Sequence, residues 1–123
     1  VHILQTLPPD ETARWIAGAE AGLVSIKAGA GYDHAYPTKV LSTLACGTPV
    51  IYAGPGPARS DIVDNSLGFC ADYSLSSISK VFSDFDAEKS TLESREKRRQ
   101  WVVNNRSLRA SSRAVAKVLA GNR

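Results

Sequence analysis

The chain has 123 residues, a formal net charge of +3, and 43% hydrophobic and 22% charged residues. These proportions are typical of one globular domain and exclude an intrinsically disordered chain. No apolar run approaches the roughly 20 residues that a membrane-spanning helix needs. The first residues, VHILQT, lack the basic and apolar parts of a signal peptide. Because the chain contains no Met, we interpret it as a piece of a longer protein.

Short apolar runs alternate with helical periodicity over the first 85 residues. This alternation predicts an α/β fold with a Rossmann-like parallel sheet flanked by helices. We treat residues 1–123 as a single domain. The expected strands are VHILQT (1–6), AGLVSI (21–26), TPVIYA (48–53) and LGFCA (67–71). The second strand is almost entirely apolar, which is typical of a parallel strand covered on both faces.

The first helix is expected after the prolines at positions 8 and 9, ending at Ala19. Its N-cap is predicted at Asp10 or Thr12, with Trp15 and Ile16 facing inward. A second helix, TKVLSTLACG, would have Pro37 in its first turn, where the missing N–H is no loss. Its predicted apolar stripe comprises Val40, Leu41, Leu44 and Ala45. Further helices are predicted over residues 58–64 and over residues 75–85, the latter with Ile78, Val81, Phe82 and Phe85 at helical spacing.

The last third of the chain differs from the rest in charge. Residues 1–86 carry five basic and nine acidic side chains, whereas residues 87–123 carry ten basic and three acidic ones. We expect two helices from about Ala87, with an apolar side that packs on the domain. Charge runs on helices are usually solvated faces, and attraction to an anionic membrane surface is the functional alternative. Nucleic acid is not expected as a partner, because no aromatic side chains are interleaved with the basic ones. The apolar side of these two predicted helices comprises Trp101, Val102, Val115, Val118 and Leu119.

The two cysteines, Cys46 and Cys70, lie in apolar stretches. Neither belongs to a CxxC or Cys/His pattern of the kind that binds zinc. The sequence therefore predicts free buried thiols, no metal and no cofactor. Such thiols are typical of a reducing cytoplasm, so we expect a cytoplasmic protein. The basic C-terminal segment leaves open a peripheral position at the membrane.

The loop KAGAGYDHAYP, residues 27–37, follows a predicted parallel strand and precedes a helix. Ligands of open parallel sheets bind at the carboxyl ends of the strands. The free amides and positive dipole end of the helix that follows favour phosphate. We therefore expect a phosphate site at Pro37, Thr38 and Lys39. The glycines do not complete a dinucleotide fingerprint, because His34 occupies the last position of the pattern, and no Walker loop is present.

The segment YPTKVLSTLACGTPVIY, residues 36–52, resembles the P-S-K-x-x-E-Y-x-A-x-G-x-P-V-I stretch of retaining glycosyltransferases of the GT-B fold. AEAGLV (19–24) is similar to the A-D-x-G-L strand of that family. DIVDNSLG (61–68) is similar to its I-V-x-x-x-x-x-G helix and strand. The order and spacing of these pieces cover the chain from residue 1 to about residue 120.

The resemblance implies the donor-binding half of an enzyme that transfers a sugar from a nucleoside-diphosphate sugar to an acceptor. Thr38 and the helix start would then contact the phosphates. The ribose-binding glutamate of the family falls at Ser42, and an earlier acid that contacts the donor sugar falls at His34. Neither position carries a carboxylate here, so we expect weaker binding of the ribose and the sugar.

Other residues around this loop have weaker assignments. Tyr36 is a further candidate for the donor sugar, and Gly29, Gly31 and Gly54 are expected to line the cleft. The family's leaving-group Arg and Lys and its N-terminal acceptor domain have no counterpart in this chain, so we expect no turnover from it alone.

Two other classes of function stay open. A non-catalytic Rossmann-like binding domain would explain the absent acids. A nucleotide-sugar epimerase would need a carboxylate for proton transfer, and Asp33 is the one candidate in the loop.

Overall fold

A computed structural model describes residues 1–85 and 90–121 of the chain. It is an α/β structure with a Rossmann-like, three-stranded parallel sheet flanked by helices, which confirms the predicted class. The strands are β1 (Gly22–Ser25), β2 (Val50–Ala53) and β3 (Gly68–Ala71). The helices are α1 (Pro9–Gly18), α2 (Thr38–Ala45), α3 (Pro57–Asp64), α4 (Leu75–Phe85), α5 (Leu92–Asn105) and α6 (Leu108–Leu119).

The strand order is β1-β2-β3, so β2 is central and all four of its residues are buried. Val24, Tyr52 and Cys70 align across the sheet and share one face, because side chains alternate along a strand. Since all three strands are parallel, their carboxyl ends lie at one edge of the sheet.

The hydrophobic core lies between this face of the sheet and the helices α2, α3 and α5. Buried apolar side chains of this kind contribute roughly 1.5–3 kcal/mol each relative to exposure. The buried members of the cluster are Val24, Val40, Leu44, Val50, Tyr52, Ala58, Ile62, Leu67 and Val102, with Tyr36, Cys70 and Trp101 packed against them. On the opposite face, Phe69 meets Phe85 of α4 edge to face, with ring centroids 5.6 Å apart.

The predicted burial of the second strand on both faces is wrong. β1 lies at an edge of the sheet, and Leu23 is 59% exposed while its neighbour Val24 is buried. An apolar run alone therefore indicates a strand but not whether both of its faces are covered.

The predicted strand over residues 1–6 is not formed. Val1 and Ile3 are fully exposed, and the segment pairs with none of the strands in the described part of the chain. A strand is stabilised by ladder bonds and by cross-strand side-chain contacts. Here the segment has neither, so its apolar composition does not suffice.

The first helix begins at Pro9, earlier than the start predicted after the two prolines, and its capping prediction is wrong. Pro8 is the N-cap and no side chain caps the helix. Thr12 is already within the helix, and its hydroxyl donates to the Pro8 carbonyl at 3.1 Å. Trp15 is 59% exposed instead of buried, whereas Ile16 is half-buried as predicted.

Helix α2 begins at Thr38 as predicted, but Pro37 is its N-cap and does not belong to its first turn. Its predicted apolar stripe is partly wrong, since Ala45 is exposed and Thr43 is buried in its place. The Thr43 hydroxyl donates to the Lys39 carbonyl at 2.8 Å. This bond makes burial of the hydroxyl inexpensive.

Helix α5 crosses the carboxyl ends of α1 and α2. Arg95 Nη2 donates to the Ala17 carbonyl at 2.6 Å and to the Cys46 carbonyl at 3.3 Å. Arg98 is buried and donates to Ser90 Oγ at 3.0 Å. A guanidinium at a helix carboxyl end satisfies free carbonyls and complements the dipole. The basic run on α5 is therefore partly structural, and the interpretation as a wholly solvated face is wrong.

The two cysteines are half-buried and free. Burial raises the pKa of the Cys70 thiol above its ordinary value.

The predicted start of the helical tail at Ala87 lies outside the described residues. Trp101 and Val102 pack on the domain as predicted, but Val115, Val118 and Leu119 of α6 are exposed. Packing of the α6 apolar side on the domain is thus a further prediction that is wrong, because α6 packs on α5 and leaves this side uncovered.

Candidate functional site

An open cleft of about 300 Å³ lies at the carboxyl edge of the sheet, lined by Ala28, Gly54, Pro55, Arg59, Asp72 and Tyr73. These residues follow β1, β2 and β3 or belong to the first turn of α3. Each strand contributes a wall of the cleft because parallel strands end at the same edge. This is where ligands of open parallel sheets bind.

Two glycines let the loops after β1 and β2 approach closely. Gly54 and Gly56 have φ values of 141° and 106°, which disfavour any residue with a Cβ. A Cβ on Gly54 would meet the Ile26 carbonyl oxygen at 2.2 Å, and one on Gly56 would meet that of Asp33 at 2.9 Å. The start of α3 is therefore in backbone contact with the loop that leads into α2.

The first turn of α2 offers two unused donors. The amides of Thr38 and Lys39 donate no hydrogen bond within residues 1–85 and 90–121, and the Pro37 cap provides no side-chain acceptor. Both residues are exposed. Free amides and the positive end of the helix dipole together favour an anion at this point. The hydroxyl of Thr38 and the ammonium of Lys39 add two further donors.

Ser42 lies one turn after Thr38 on the same face of α2, since residues four apart are neighbours on a helix. Its hydroxyl donates to the Thr38 carbonyl at 3.2 Å. The hydroxyl oxygen retains acceptor capacity. Ser42 is exposed, so a ligand at the start of α2 can extend along this face toward it.

The loop before α2 is held by its own residues. Asp33 Oδ1 accepts from the Gly29 amide at 2.9 Å. Gly29 and Gly31 have φ values of 72° and 84°, in the left-handed region. Neither glycine belongs to the cleft lining, whereas Gly54 does. His34 is exposed, and its ring makes no hydrogen bond in the described part of the chain.

Tyr36 has a structural contact of its own. Its hydroxyl donates to Asp61 Oδ2 at 2.9 Å, and its ring lies 5.0 Å from the Arg106 guanidinium carbon. Burial, with the bond to Asp61, raises the pKa of Tyr36 above its ordinary value. The hydroxyl is already engaged, so the geometry makes Tyr36 an anchor for the segment before α2. Its assignment to the donor sugar stays a prediction.

Arg59 is a cleft residue that the sequence interpretation overlooked. Its Nη1 donates to the Ala71 carbonyl at 2.9 Å, and its Nη2 lies 3.3 Å from Asp72 Oδ1. The side chain is 38% exposed, and its charge is paired with that of Asp72, which lines the same cleft. Its position in the sequence could have indicated a place in the cleft. Arg59 lies in the first turn of α3, the helix that follows the GPGP segment (residues 54–57) at the end of a parallel strand.

No group of three or more His, Cys, Asp or Glu side chains in the described ranges is placed to hold a metal ion. Among the same residues, no helix has both the length and the apolar character required to cross a bilayer.

Comparison with known proteins found no matching family model, curated protein or solved structure.

Proposed function

We propose that this chain is the donor-binding half of a retaining glycosyltransferase of the GT-B fold, which in its whole form transfers a sugar from a nucleoside-diphosphate sugar to an acceptor. One observation carries the proposal. The unused amides of Thr38 and Lys39 begin the helix that follows β1, at the carboxyl edge of a parallel sheet. The resemblance of residues 36–52 to the family segment agrees with that position.

In this proposal the diphosphate of the donor lies at the start of α2. Thr38 donates its amide and hydroxyl, and Lys39 adds its amide and charge. Preorganised donors of this kind stabilise negative charge without reorganisation.

The nucleoside and the sugar are assigned from the family resemblance, and both residues concerned, Ser42 and His34, are exposed. Ribose lies along α2 toward Ser42, which offers one hydroxyl where the family has a carboxylate. The donor sugar lies toward His34 in the exposed loop. A hydroxyl and an imidazole provide weaker hydrogen bonds to sugar hydroxyls than two carboxylates would, so we expect modest affinity for the donor.

Departure of the nucleoside diphosphate needs more positive charge than the start of α2 supplies. We expect the remaining cations and the acceptor domain from the rest of a longer protein. The chain by itself is therefore expected to bind a nucleotide without catalysing transfer. Sugar transfer by the isolated chain to an added acceptor would contradict this part of the proposal.

The absence of acidic residues at positions 34 and 42 favours one alternative, a non-catalytic domain that binds a nucleotide or a sugar phosphate. This domain would use the same amides and the same cleft. The epimerase alternative is less favoured, because Asp33 already accepts a hydrogen bond from Gly29 and holds the loop.

The direct test is to titrate the chain with UDP, GDP, the corresponding monophosphates and the nucleosides. Binding is measured from the changes in amide chemical shifts. We expect diphosphates to bind at least about tenfold more tightly than nucleosides, because charge-assisted bonds to phosphate are the strong ones. The largest shifts should fall on Thr38 and Lys39. Equal affinity for nucleosides, or shifts confined to other residues, would contradict the proposal.

A variant pair sharpens this test. Lys39→Ala should weaken diphosphate binding by about five- to tenfold, the effect of losing one partly exposed charge-assisted contact. Lys80→Ala is the matched control, since Lys80 is an exposed lysine of α4 that pairs with Asp84. An equal effect of both substitutions would indicate a general charge effect and not a site at α2.

A further inference from the structure

Helix α6 (Leu108–Leu119) stands apart from the core. Ser107 caps its start, accepting a hydrogen bond from the Ala110 amide at 3.1 Å. None of its residues is buried, and Leu108 and Leu119 are 89% and 81% exposed. A helix that leaves leucines in water on this scale presents a surface for a partner.

The side chains of α6 divide into two lines. Leu108, Val115 and Leu119 stand at spacings that place them on one face of a helix, and they border a shallow groove. Arg109, Arg113 and Lys117 are four residues apart and form a second line on another face. Val118 extends the apolar side and is 78% exposed.

The basic line of α6 differs from the basic run of α5. Arg95, Arg99 and Arg106 each bond to carbonyls or carboxylates of the domain. In contrast, Arg109, Arg113 and Lys117 make no ion pair or side-chain hydrogen bond within the part of the chain that the structure describes. No Asp or Glu occurs in residues 97–123, so nothing nearby in the sequence neutralises them.

We propose that α6 binds the surface of an anionic lipid bilayer. The helix lies in the plane of the interface, with Leu108, Val115 and Leu119 at the acyl boundary. Arg109, Arg113 and Lys117 reach the headgroups with their long side chains, as basic residues do at such interfaces. Twelve residues extend about 18 Å, well short of the roughly 30 Å hydrocarbon core, which suits a helix on the surface.

Charge distinguishes this partner from a second copy of the chain. Pairing two α6 faces would bring two segments of the same positive sign together, and like charges oppose association. A bilayer that contains anionic lipid offers both an apolar layer and negative charge. The lipid-binding proposal does not depend on the proposed sugar donor.

The test is flotation of the chain with vesicles of phosphatidylcholine alone and of phosphatidylcholine with 30 mol% phosphatidylserine. We expect binding to the anionic vesicles, little binding to the neutral ones, and loss of binding as NaCl rises from 50 to 500 mM, because salt screens the attraction. Equal binding to both vesicles, or no binding to either, would overturn the proposal.

Variants locate the surface. Arg109→Gln/Arg113→Gln/Lys117→Gln should lower the partition onto anionic vesicles roughly 100-fold. The control with the same charge change is Arg14→Gln/Lys27→Gln/Lys80→Gln, which lies elsewhere on the chain and should change partition only slightly. If the control loses as much as the α6 variant, attraction is due to net charge and the assignment to α6 fails.

The apolar line is tested separately with Leu108→Ser/Leu119→Ser. Loss of flotation with unchanged circular dichroism supports insertion of these residues. Light scattering of the unsubstituted chain completes the test. A dimer that Leu108→Ser/Leu119→Ser dissociates, together with absent lipid binding, would assign this face to a second copy of the chain and overturn the proposal.

Discussion

The Tyr36 hydroxyl donates a 2.9 Å hydrogen bond to Asp61 Oδ2. Tyr36 stands two residues before α2, and Asp61 belongs to α3. Arg106, at the end of α5, donates to the same carboxylate oxygen through Nε at 3.1 Å and through Nη2 at 2.5 Å. Three segments thus meet at one carboxylate, which fixes the start of α2 relative to α3.

Tyr36→Phe should reduce the free energy of unfolding by about 1–2 kcal/mol, because it removes one hydrogen bond to a partly buried carboxylate. Asp61 keeps its contact with Arg106, so the loss should not be larger. Urea denaturation measures the change. Tyr32→Phe is the matched control, since Tyr32 is 66% exposed and its hydroxyl makes no hydrogen bond in the described ranges. A comparable loss in both variants would contradict the role given to the Tyr36 hydroxyl.

The same contact predicts a dependence of stability on alkaline pH. The pKa of Tyr36 is raised in the folded chain, first by burial and then by Asp61. Above the ordinary tyrosine pKa of about 10, the unfolded chain releases this proton while the folded chain retains it. The free energy of unfolding should therefore fall between pH 9 and pH 11. Urea titrations at both values should show a smaller fall for Tyr36→Phe, and an identical fall would contradict the assignment.

Arg95→Ala should destabilise the chain by about 2–3 kcal/mol, because two carbonyls at helix ends lose a charged donor. Arg95 joins α5 to Ala17 and Cys46. Thermal or urea unfolding measures the loss. Lys97→Ala is the control, since Lys97 is an exposed residue on the same helix and should change stability by less than about 0.5 kcal/mol. Equal effects would mean that Arg95 acts only through general charge.

Gly54→Ala should cost about 2–3 kcal/mol, because the residue has a φ of 141° and a Cβ would meet the Ile26 carbonyl oxygen at 2.2 Å. The substitution should also separate the loops that line the cleft. Gly18→Ala is the control, since a Cβ at the end of α1 meets nothing within 4 Å. It should be neutral or stabilising by up to about 1 kcal/mol. A tolerated Gly54→Ala would show that the two loops are free to separate.

Much of the local structure could be predicted from the sequence. The helix expected over residues 75–85 is observed at Leu75–Phe85, because apolar side chains at helical spacing give a local signal. The three strands that form were also predicted, as was the helix start beside Pro37. The strand over residues 1–6 was not formed, because strand formation depends on a partner that lies elsewhere in the chain.

The candidate site was only partly accessible from the sequence. Thr38, Lys39 and Ser42 lie together on α2 as their spacing predicted. Tyr36, expected at the sugar, has its hydroxyl bonded to Asp61, and Arg59 was overlooked. Neither outcome follows from spacing, because each depends on which element packs beside the residue.

The sequence by itself determined the alternation of strands and helices and the positions of their glycine and proline boundaries. These features depend on backbone preferences and on periodicity within a few residues. Only the tertiary structure decided the partners of the arginines. Arg95 reaches Ala17 across 78 positions of the chain and Arg106 reaches Asp61 across 45. Such contacts arise because α5 packs over the ends of α1 and α2 and its own end reaches α3. No short-range pattern encodes where a long, flexible side chain finds its acceptor.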